Sequence, residues 1–235
     1  MKAIVTGGSR GIGFAIAEAI VKAGGQVAIT GRDRARVDAA VTKLQAHGAA
    51  ASVAGANVDV RERRAVDAFV ADTASRFGGL DTLVNNAGVG AFADVASMTD
   101  EDWSRVIDTN LTGVFYCTRA TIPLLRQANG AWIINIASLA GRNYFPKGAA
   151  YCASKAALIA FSESLMQEVR YDNIRVSVVM PGSVATGFEG MSGHGDTSWK
   201  LSGDDVAEVV MDLLRHPGRS LPSKVEIRPS KPVKA

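Results

Sequence analysis

Short apolar runs alternate with stretches of helical spacing along the whole chain, and that alternation limits the folds open to it. The strand candidates are 2–6, 26–30, 51–58, 81–85, 131–137, 174–180 and 224–228. Several are apolar on consecutive residues, as in Ile133-Ile134 and Val178-Val179-Met180, the pattern of strands covered by helices on both faces. Between them, 11–23, 33–47, 61–77, 100–127, 149–171 and 202–216 repeat apolar residues at three- and four-residue spacing. Val206, Val209, Val210, Leu213 and Leu214 make one such stripe. Seven strands with intervening helices predict an α/β protein built on a doubly wound, seven-stranded parallel sheet.

No Ser/Pro-rich linker divides the 235 residues, so 1–235 is expected to form one domain. A hydrophobic fraction of 47% with 21% charged residues is ordinary for a soluble globular protein. The net charge of +3 is too small and too dispersed to argue for nucleic acid. No run approaches the roughly 20 apolar residues that cross a bilayer. The first residues turn at once into glycines, without the apolar core of a signal peptide. Cys117 and Cys152 are too few for a disulfide framework. The protein is therefore expected in the cytoplasm. His47, His194 and His216 lie far apart without metal-ligand spacing, so no metal site is expected.

The first strand candidate runs into Thr6-Gly7-Gly8-Ser9-Arg10-Gly11-Ile12-Gly13, and a helix follows directly. Glycines there let the backbone approach a pyrophosphate, and the helix N-terminus offers unpaired N–H groups. The spacing G-x-x-x-G-x-G is one residue looser than the common dinucleotide fingerprint, and no Gly-Lys-Ser/Thr follows as in a triphosphate loop. The second strand ends Ala28-Ile29-Thr30-Gly31-Arg32, without the acid that would hold a ribose 2′-hydroxyl. Arg32, with Arg10 in the glycine loop, can pair with a 2′-phosphate instead, which favours NADP(H) over NAD. Asp33 sits one position late and reads as a helix N-cap.

The fifth strand candidate delivers Ser138 to its carboxyl end, and a helix follows that carries Tyr151 and Lys155 four residues apart. That spacing puts phenol and ammonium on one helix face. An ammonium beside a phenol lowers its pKa, which equips Tyr151 for acid–base work near neutral pH. Cys152 adjoins Tyr151 without a histidine near in sequence and reads as a packed thiol.

With the 6–13 loop, Asn85-Asn86-Ala87-Gly88, Asn110, Ser138, Tyr151 and Lys155 in this order, the chain resembles the short-chain dehydrogenase/reductase family, over nearly all its length. The resemblance implies a Rossmann fold and a catalytic set of Asn110, Ser138, Tyr151 and Lys155. It implies that Gly7, Ser9, Arg10, Gly11 and Ile12 wrap the pyrophosphate and adenosine side. Asp59 and Val60 look like the adenine-contacting pair, and Asn86, Ala87 and Gly88 like the support of the ribose and sheet. Pro181, Gly182, Val184 and Thr186 are similar to the segment around the nicotinamide carboxamide. Tyr151 and Lys155 would also contact the cofactor, with Lys155 holding the nicotinamide ribose, and Asn110, inside the long 100–127 helix, would hold a water linking Lys155 to solvent.

The expected reaction is NADPH-dependent reduction of a ketone or aldehyde, reversible, on a small molecule. An NAD-linked alcohol or hydroxysteroid-like dehydrogenase and a catalytically silent dinucleotide sensor remain as alternatives. Many members of the family acting on 3-oxoacyl thioesters finish on a glycine-rich strand, whereas this chain ends Val225-Glu226-Ile227-Arg228-Pro229, which speaks against a role in fatty-acid synthesis. A substrate lid is expected over about 187–202, with Gly187, Gly190, Gly193 and Gly195. Its Phe188, Met191 and Trp199, with Phe92, Leu139, Tyr144 and Phe145, suggest an apolar pocket. Asp196 and Glu189 argue against an anionic substrate. Trp103 should anchor its helix and Trp132 pack on the sheet. Ala153, Ala156, Ala157, Ala160 and Phe161 make the Tyr151 helix apolar around much of its circumference, which suits a homotetramer.

Overall fold

The protein is described by a computed structural model over residues 1–186, 188 and 196–232. Seven strands form one sheet: β1 (Lys2–Val5), β2 (Gln26–Gly31), β3 (Val53–Asn57), β4 (Thr82–Asn85), β5 (Ala131–Ile136), β6 (Ile174–Pro181) and β7 (Lys224–Ile227). Their order is β3-β2-β1-β4-β5-β6-β7, and every neighbouring pair is parallel. The helices are α1 (Gly11–Lys22), α2 (Arg34–Gln45), α3 (Arg63–Phe77), α4 (Asp100–Ile107), α5 (Gly113–Leu125), α6 (Ala149–Val169) and α7 (Gly203–Arg215). The doubly wound parallel sheet expected from the alternation is present, as is the Rossmann fold that the resemblance implies. Its strand order reverses between β1 and β4, which opens a crevice at the carboxyl ends of the strands.

Successive residues of a strand face opposite sides of the sheet. In β1, Ala3 and Val5 join a cluster with Ile16 and Ile20 of α1, Leu44 of α2 and Val210 of α7. Ile4 joins the opposite layer, with Phe69 of α3, Leu125 of α5 and Leu165 of α6. Both faces are buried, so a strand apolar on consecutive residues is what the core requires. The edge strand β7 is covered less, and its residues alternate between exposed and half-buried.

The expected 100–127 helix is interrupted. Between α4 and α5, residues Asp108–Thr112 form a π turn in which the Gly113 N–H reaches back to the Asp108 carbonyl. Two close contacts hold it: Asn110 is tied to the Val89 backbone, and a Cβ on Gly113 would lie 2.7 Å from Val60 Cγ2. The expected strand 51–58 is shorter because Ala50–Ser52 form a 3-10 turn, closed by the Ser52 hydroxyl donating to the Ala49 carbonyl at 2.6 Å. Trp103 does not anchor its helix; it is 44% exposed, and Val106 is the buried residue of α4. Trp132 is buried in the sheet, with the Arg175 guanidinium 4.2 Å from its ring centre.

Candidate active site

A continuous cleft of about 1010 Å³ runs across the strand ends. Gly7, Ser9, Arg10, Gly11, Ile12, Arg32, Asp59, Val60, Asn86, Ala87 and Gly88 line it. So do Ser138, Tyr151, Lys155, Pro181, Gly182, Val184 and Thr186. Of the catalytic and cofactor residues expected from sequence, Asn110 alone does not line it.

The turn from β1 into α1 needs its glycines. Gly7 and Gly11 have φ of 64° and 58°, the left-handed region. A Cβ on Gly7 would stand 2.9 Å from the Ala87 Cα, and one on Gly13 only 2.5 Å from the Gly7 carbonyl oxygen. The Asn86 amide holds this loop from below, donating to the carbonyls of Thr6 (3.0 Å) and Gly7 (3.1 Å). No side chain caps the N-terminus of α1 at Arg10, so its first N–H groups and positive dipole end face the cleft. A glycine-lined bend at an uncapped helix start fits a dinucleotide pyrophosphate.

At the β2 end of the cleft stand Arg32, Asp33 and Arg36. Asp33 is the N-cap of α2, accepting from the Arg36 backbone N–H at 3.1 Å and pairing with its guanidinium at 3.1 Å. Arg36 as a cleft residue had no signal in the sequence beyond its place in the first turn of α2. Asp59 pairs with Arg61 at 2.6 Å. Its carboxyl sits below its ordinary pKa even though burial raises it, because hydrogen bonds from Arg61 and the charges of Arg61 and Arg32 outweigh that.

At the other end, the Ser138 hydroxyl caps a 3-10 turn (Leu139–Gly141) by accepting from the Ala140 N–H at 3.1 Å. That turn lies directly on α6. A Cβ on Gly141 would stand 2.8 Å from the Lys155 carbonyl carbon and 2.9 Å from its oxygen. The close approach brings the Ser138 hydroxyl near enough to Tyr151 to lower the phenol pKa. The phenol is buried between Phe92 (ring centres 5.6 Å apart) and Phe188 (5.7 Å), with Ala140 and Cys152 in the same cluster. Phe145 stacks on Phe92 at 6.0 Å. Tyr144 points away and is 70% exposed. Glu189, Gly190, Met191 and His194 lie outside the described residues.

The electrostatics differ from the expected ammonium–phenol pair. Burial raises the Tyr151 pKa, the Ser138 hydrogen bond lowers it, and the neighbouring Cys152 raises it again; the net shift is upward. Lys155 is buried, and burial lowers its pKa from 10.5 to about 8. Its ammonium donates to the Ile136 carbonyl at 2.9 Å and stands 5.9 Å from the Tyr151 ring centre. Tyr151 therefore keeps its proton at neutral pH.

Asn110 is fully buried. Its side chain accepts from the Val89 N–H and donates to the Val89 carbonyl, both at 2.9 Å, and donates to Ser154 Oγ at 2.9 Å. The side chain is thus spent on structure, fastening the π turn to α6 and to the strand-end loop after β4. Its Oδ1 and the Lys155 Nζ both approach Gly88, 3.4 Å and 3.6 Å from where a Cβ would be.

A buried polar ladder beneath the site was missed from sequence. Asn85 and Asn135 are register partners on β4 and β5, and Asn85 Nδ2 donates to Asn135 Oδ1 (2.8 Å) and Thr118 Oγ1 (3.1 Å). Asn135 Nδ2 donates to Ser162 Oγ on α6 at 2.8 Å. A polar residue inside Trp132-Ile133-Ile134-Asn135-Ile136 was the signal, since an amide in a buried strand needs partners.

A doubly wound sheet, a glycine cradle at its switch point and a buried Ser–Tyr–Lys group in the same cleft define an NAD(P)-dependent oxidoreductase. The chain belongs to the short-chain dehydrogenase family, whose profile, described as short chain dehydrogenase, matches residues 1–196. It is 35% identical over 231 residues to an uncharacterised oxidoreductase of Staphylococcus saprophyticus, covering 97% of this chain and 96% of that one. Over 185 residues it is 40% identical to a 3-oxoacyl-acyl-carrier-protein reductase of Synechocystis, covering 78% of this chain and 74% of that one. Among solved structures, an alcohol dehydrogenase of Thermococcus sibiricus complexed with 5-hydroxy-NADP superposes with a TM-score of 0.89 at 28% identity, covering 99% of this chain and 98% of that one. No helix among the described residues is long and apolar enough to cross a membrane.

Proposed function

We propose that this protein reduces a ketone or aldehyde to an alcohol with NADPH, and runs the reverse reaction when the alcohol and NADP⁺ are supplied. The observation that carries the reading is the buried Tyr151 phenol, which shares with Ser138 and Lys155 the cleft that also holds the glycine cradle. When bound, the nicotinamide supplies a hydride to the carbonyl carbon. Ser138 donates a hydrogen bond to the carbonyl oxygen, where negative charge develops. Tyr151 gives its proton to that oxygen, so the added hydride and proton together make the alcohol. The upward shift of the phenol pKa supports this direction, because the acid must hold its proton at neutral pH. Lys155 carries the nearby positive charge, holds the nicotinamide ribose hydroxyls and favours the phenolate once the proton has left. Asn110 keeps Lys155 and the π turn in place, and a water held beside them returns a proton from solvent.

The preference for NADPH rests on Arg10, Arg32 and Arg36 lining the cleft while Asp33 is spent on capping α2 and pairing with Arg36. The 5-hydroxy-NADP complex of the similar alcohol dehydrogenase agrees with it. Asp59 and Val60 flank the adenine, and Pro181, Gly182, Val184 and Thr186 the carboxamide. Residues 1–235 act as one unit; within the expected lid of about 187–202, residues 187 and 189–195 lie outside the described residues. The exposed Phe115 of α5 with Ala153 and Ala160 of α6 provides the surface for a homotetramer, and a sedimentation mass of a single chain would exclude that assembly.

The test is a carbonyl panel assayed with NADPH and NADH. Tyr151→Phe should lower turnover by roughly a hundredfold or more. Arg32→Asp should weaken NADPH binding and favour NADH. Undiminished turnover by the phenylalanine variant would rule out the assigned acid.

A further inference from the structure

The C-terminal strand brings a cation to the substrate end of the cleft. The carbonyl of Ile227, the last residue of β7, accepts from the Gly182 N–H at 2.8 Å. The next residues, Arg228 and Pro229, line the same cleft as Ser138 and Tyr151. The position of a Cβ on Gly182 lies 3.1 Å from Pro229 Cδ and 3.2 Å from Leu139 Cδ1. Pro229 follows Arg228 and Leu139 follows Ser138, so the chain at Arg228 and the chain at Ser138 meet over Gly182.

Arg228 is positioned from its own strand. Its Nη2 donates to Glu226 Oε2 at 2.7 Å, and Arg142, just past the Ser138 turn, donates to Glu226 Oε1 at 2.5 Å. One carboxylate thus serves two guanidinium groups, and the trio keeps a net charge of +1. Lys200 adds a second cation to the lining. The cleft acids, Asp33 and Asp59, belong to the β2 and β3 end, where Arg36 and Arg61 pair with them. Among the described lining residues from Ser138 to Arg228 there is no carboxylate. The catalytic end is therefore cationic on one side and aromatic on the other, where Phe92 and Phe188 flank Tyr151.

We infer that the carbonyl substrate carries a carboxylate and that Arg228 is the residue that selects it. This deepens the proposed reductase activity and rests on it. A guanidinium presents paired donors that match the two oxygens of a carboxylate. The Glu226 carboxylate holds Arg228 in position, and Arg142 shares that carboxylate, which leaves Arg228 donors for the substrate. The expectation of a mainly apolar pocket, with Asp196 and Glu189 against an anionic substrate, missed this because Arg228 is 90 residues from Ser138 in sequence (228 minus 138) and reaches it only through the pairing of β7 with β6; Asp196 does not line the cleft, and Glu189 lies outside the described residues.

The experiment compares acetoacetate and levulinate with their methyl esters, each reduced with NADPH. The wild type should show a kcat/KM for the anions that exceeds that for the esters by roughly tenfold or more, the size of one or two charge-assisted hydrogen bonds. Arg228→Gln should remove that advantage through KM, at unchanged kcat, NADPH affinity and melting temperature, with less than about a threefold change for the esters. Arg228→Lys should keep part of it. Esters reduced as well as the acids by the wild type would overturn the inference and leave the reductase reading standing. So would a loss in Arg228→Gln shared equally by the esters, or a change in its NADPH affinity. Failure to reduce any carbonyl compound with NADPH would remove both.

Discussion

Replacing Lys155 by methionine should make the ligand-free protein more stable near pH 7 while abolishing turnover. Lys155 is buried, and burial brings its pKa from 10.5 down to about 8. At ~1.36 kcal/mol per pKa unit, holding the ammonium in the native protein costs about 3 kcal/mol. Methionine has a similar unbranched shape and no charge. Losing the hydrogen bond to the Ile136 carbonyl offsets ~1 kcal/mol of the gain, which leaves about 2 kcal/mol. For a chain of this size that raises the melting temperature by roughly 4–8 °C. The sign with pH follows from proton binding. Between the native pKa of about 8 and the unfolded value of 10.5, the unfolded chain binds a proton that the native protein does not. Wild-type stability from this group therefore rises with pH through that window. Near pH 10 the residual cost is about 1 kcal/mol, and the advantage of the variant should vanish. Thermal unfolding of both proteins without cofactor, followed by circular dichroism from pH 7 to 10, measures the difference directly. A variant no more stable than wild type near pH 7, or a gain that persists near pH 10, would refute the argument that burial sets the Lys155 charge cost.

Gly141→Ala puts a methyl group 2.8 Å from the Lys155 backbone. It should cost about 1–3 kcal/mol by overpacking and lower kcat, because the Ser138 turn must lift away from α6; chemical denaturation and steady-state kinetics check both. Asn135→Ala removes one of the two acceptors of Asn85 Nδ2 and the donor to Ser162 Oγ, leaving Thr118 and the Leu158 carbonyl as their remaining partners; it should destabilise the fold by roughly 1–3 kcal/mol, read by urea unfolding at unchanged NADPH affinity. The rate of carbonyl reduction should fall as pH rises through the Lys155 pKa of about 8, because the ammonium is lost; a pH profile of kcat that stays flat to pH 9.5 would contradict this.

Much of the architecture was legible in the chain because a sheet buried on both faces requires consecutive apolar residues, and β1, β5 and β6 carry them. The glycine loop was legible for a local reason: Gly7 and Gly11 sit at left-handed φ that other residues avoid. Tyr151 and Lys155 were found together because helical spacing fixes their common face. The break in the 100–127 helix was not legible, since it is held by Asn110 reaching Val89 and by Gly113 pressing on Val60. Neither contact leaves a periodic trace.

By itself the sequence determined the strand–helix alternation, the cofactor turn and the order of Ser138, Tyr151 and Lys155, all of which follow from local spacing and backbone freedom. Only the tertiary structure decided the charge states and the composition of the far wall. Whether Lys155 lowers Tyr151 or burial raises it depends on how much water the packed phenylalanines exclude. That Arg228 stands beside the Ser138 turn depends on β7 joining the sheet edge, a contact between distant residues that no local pattern encodes.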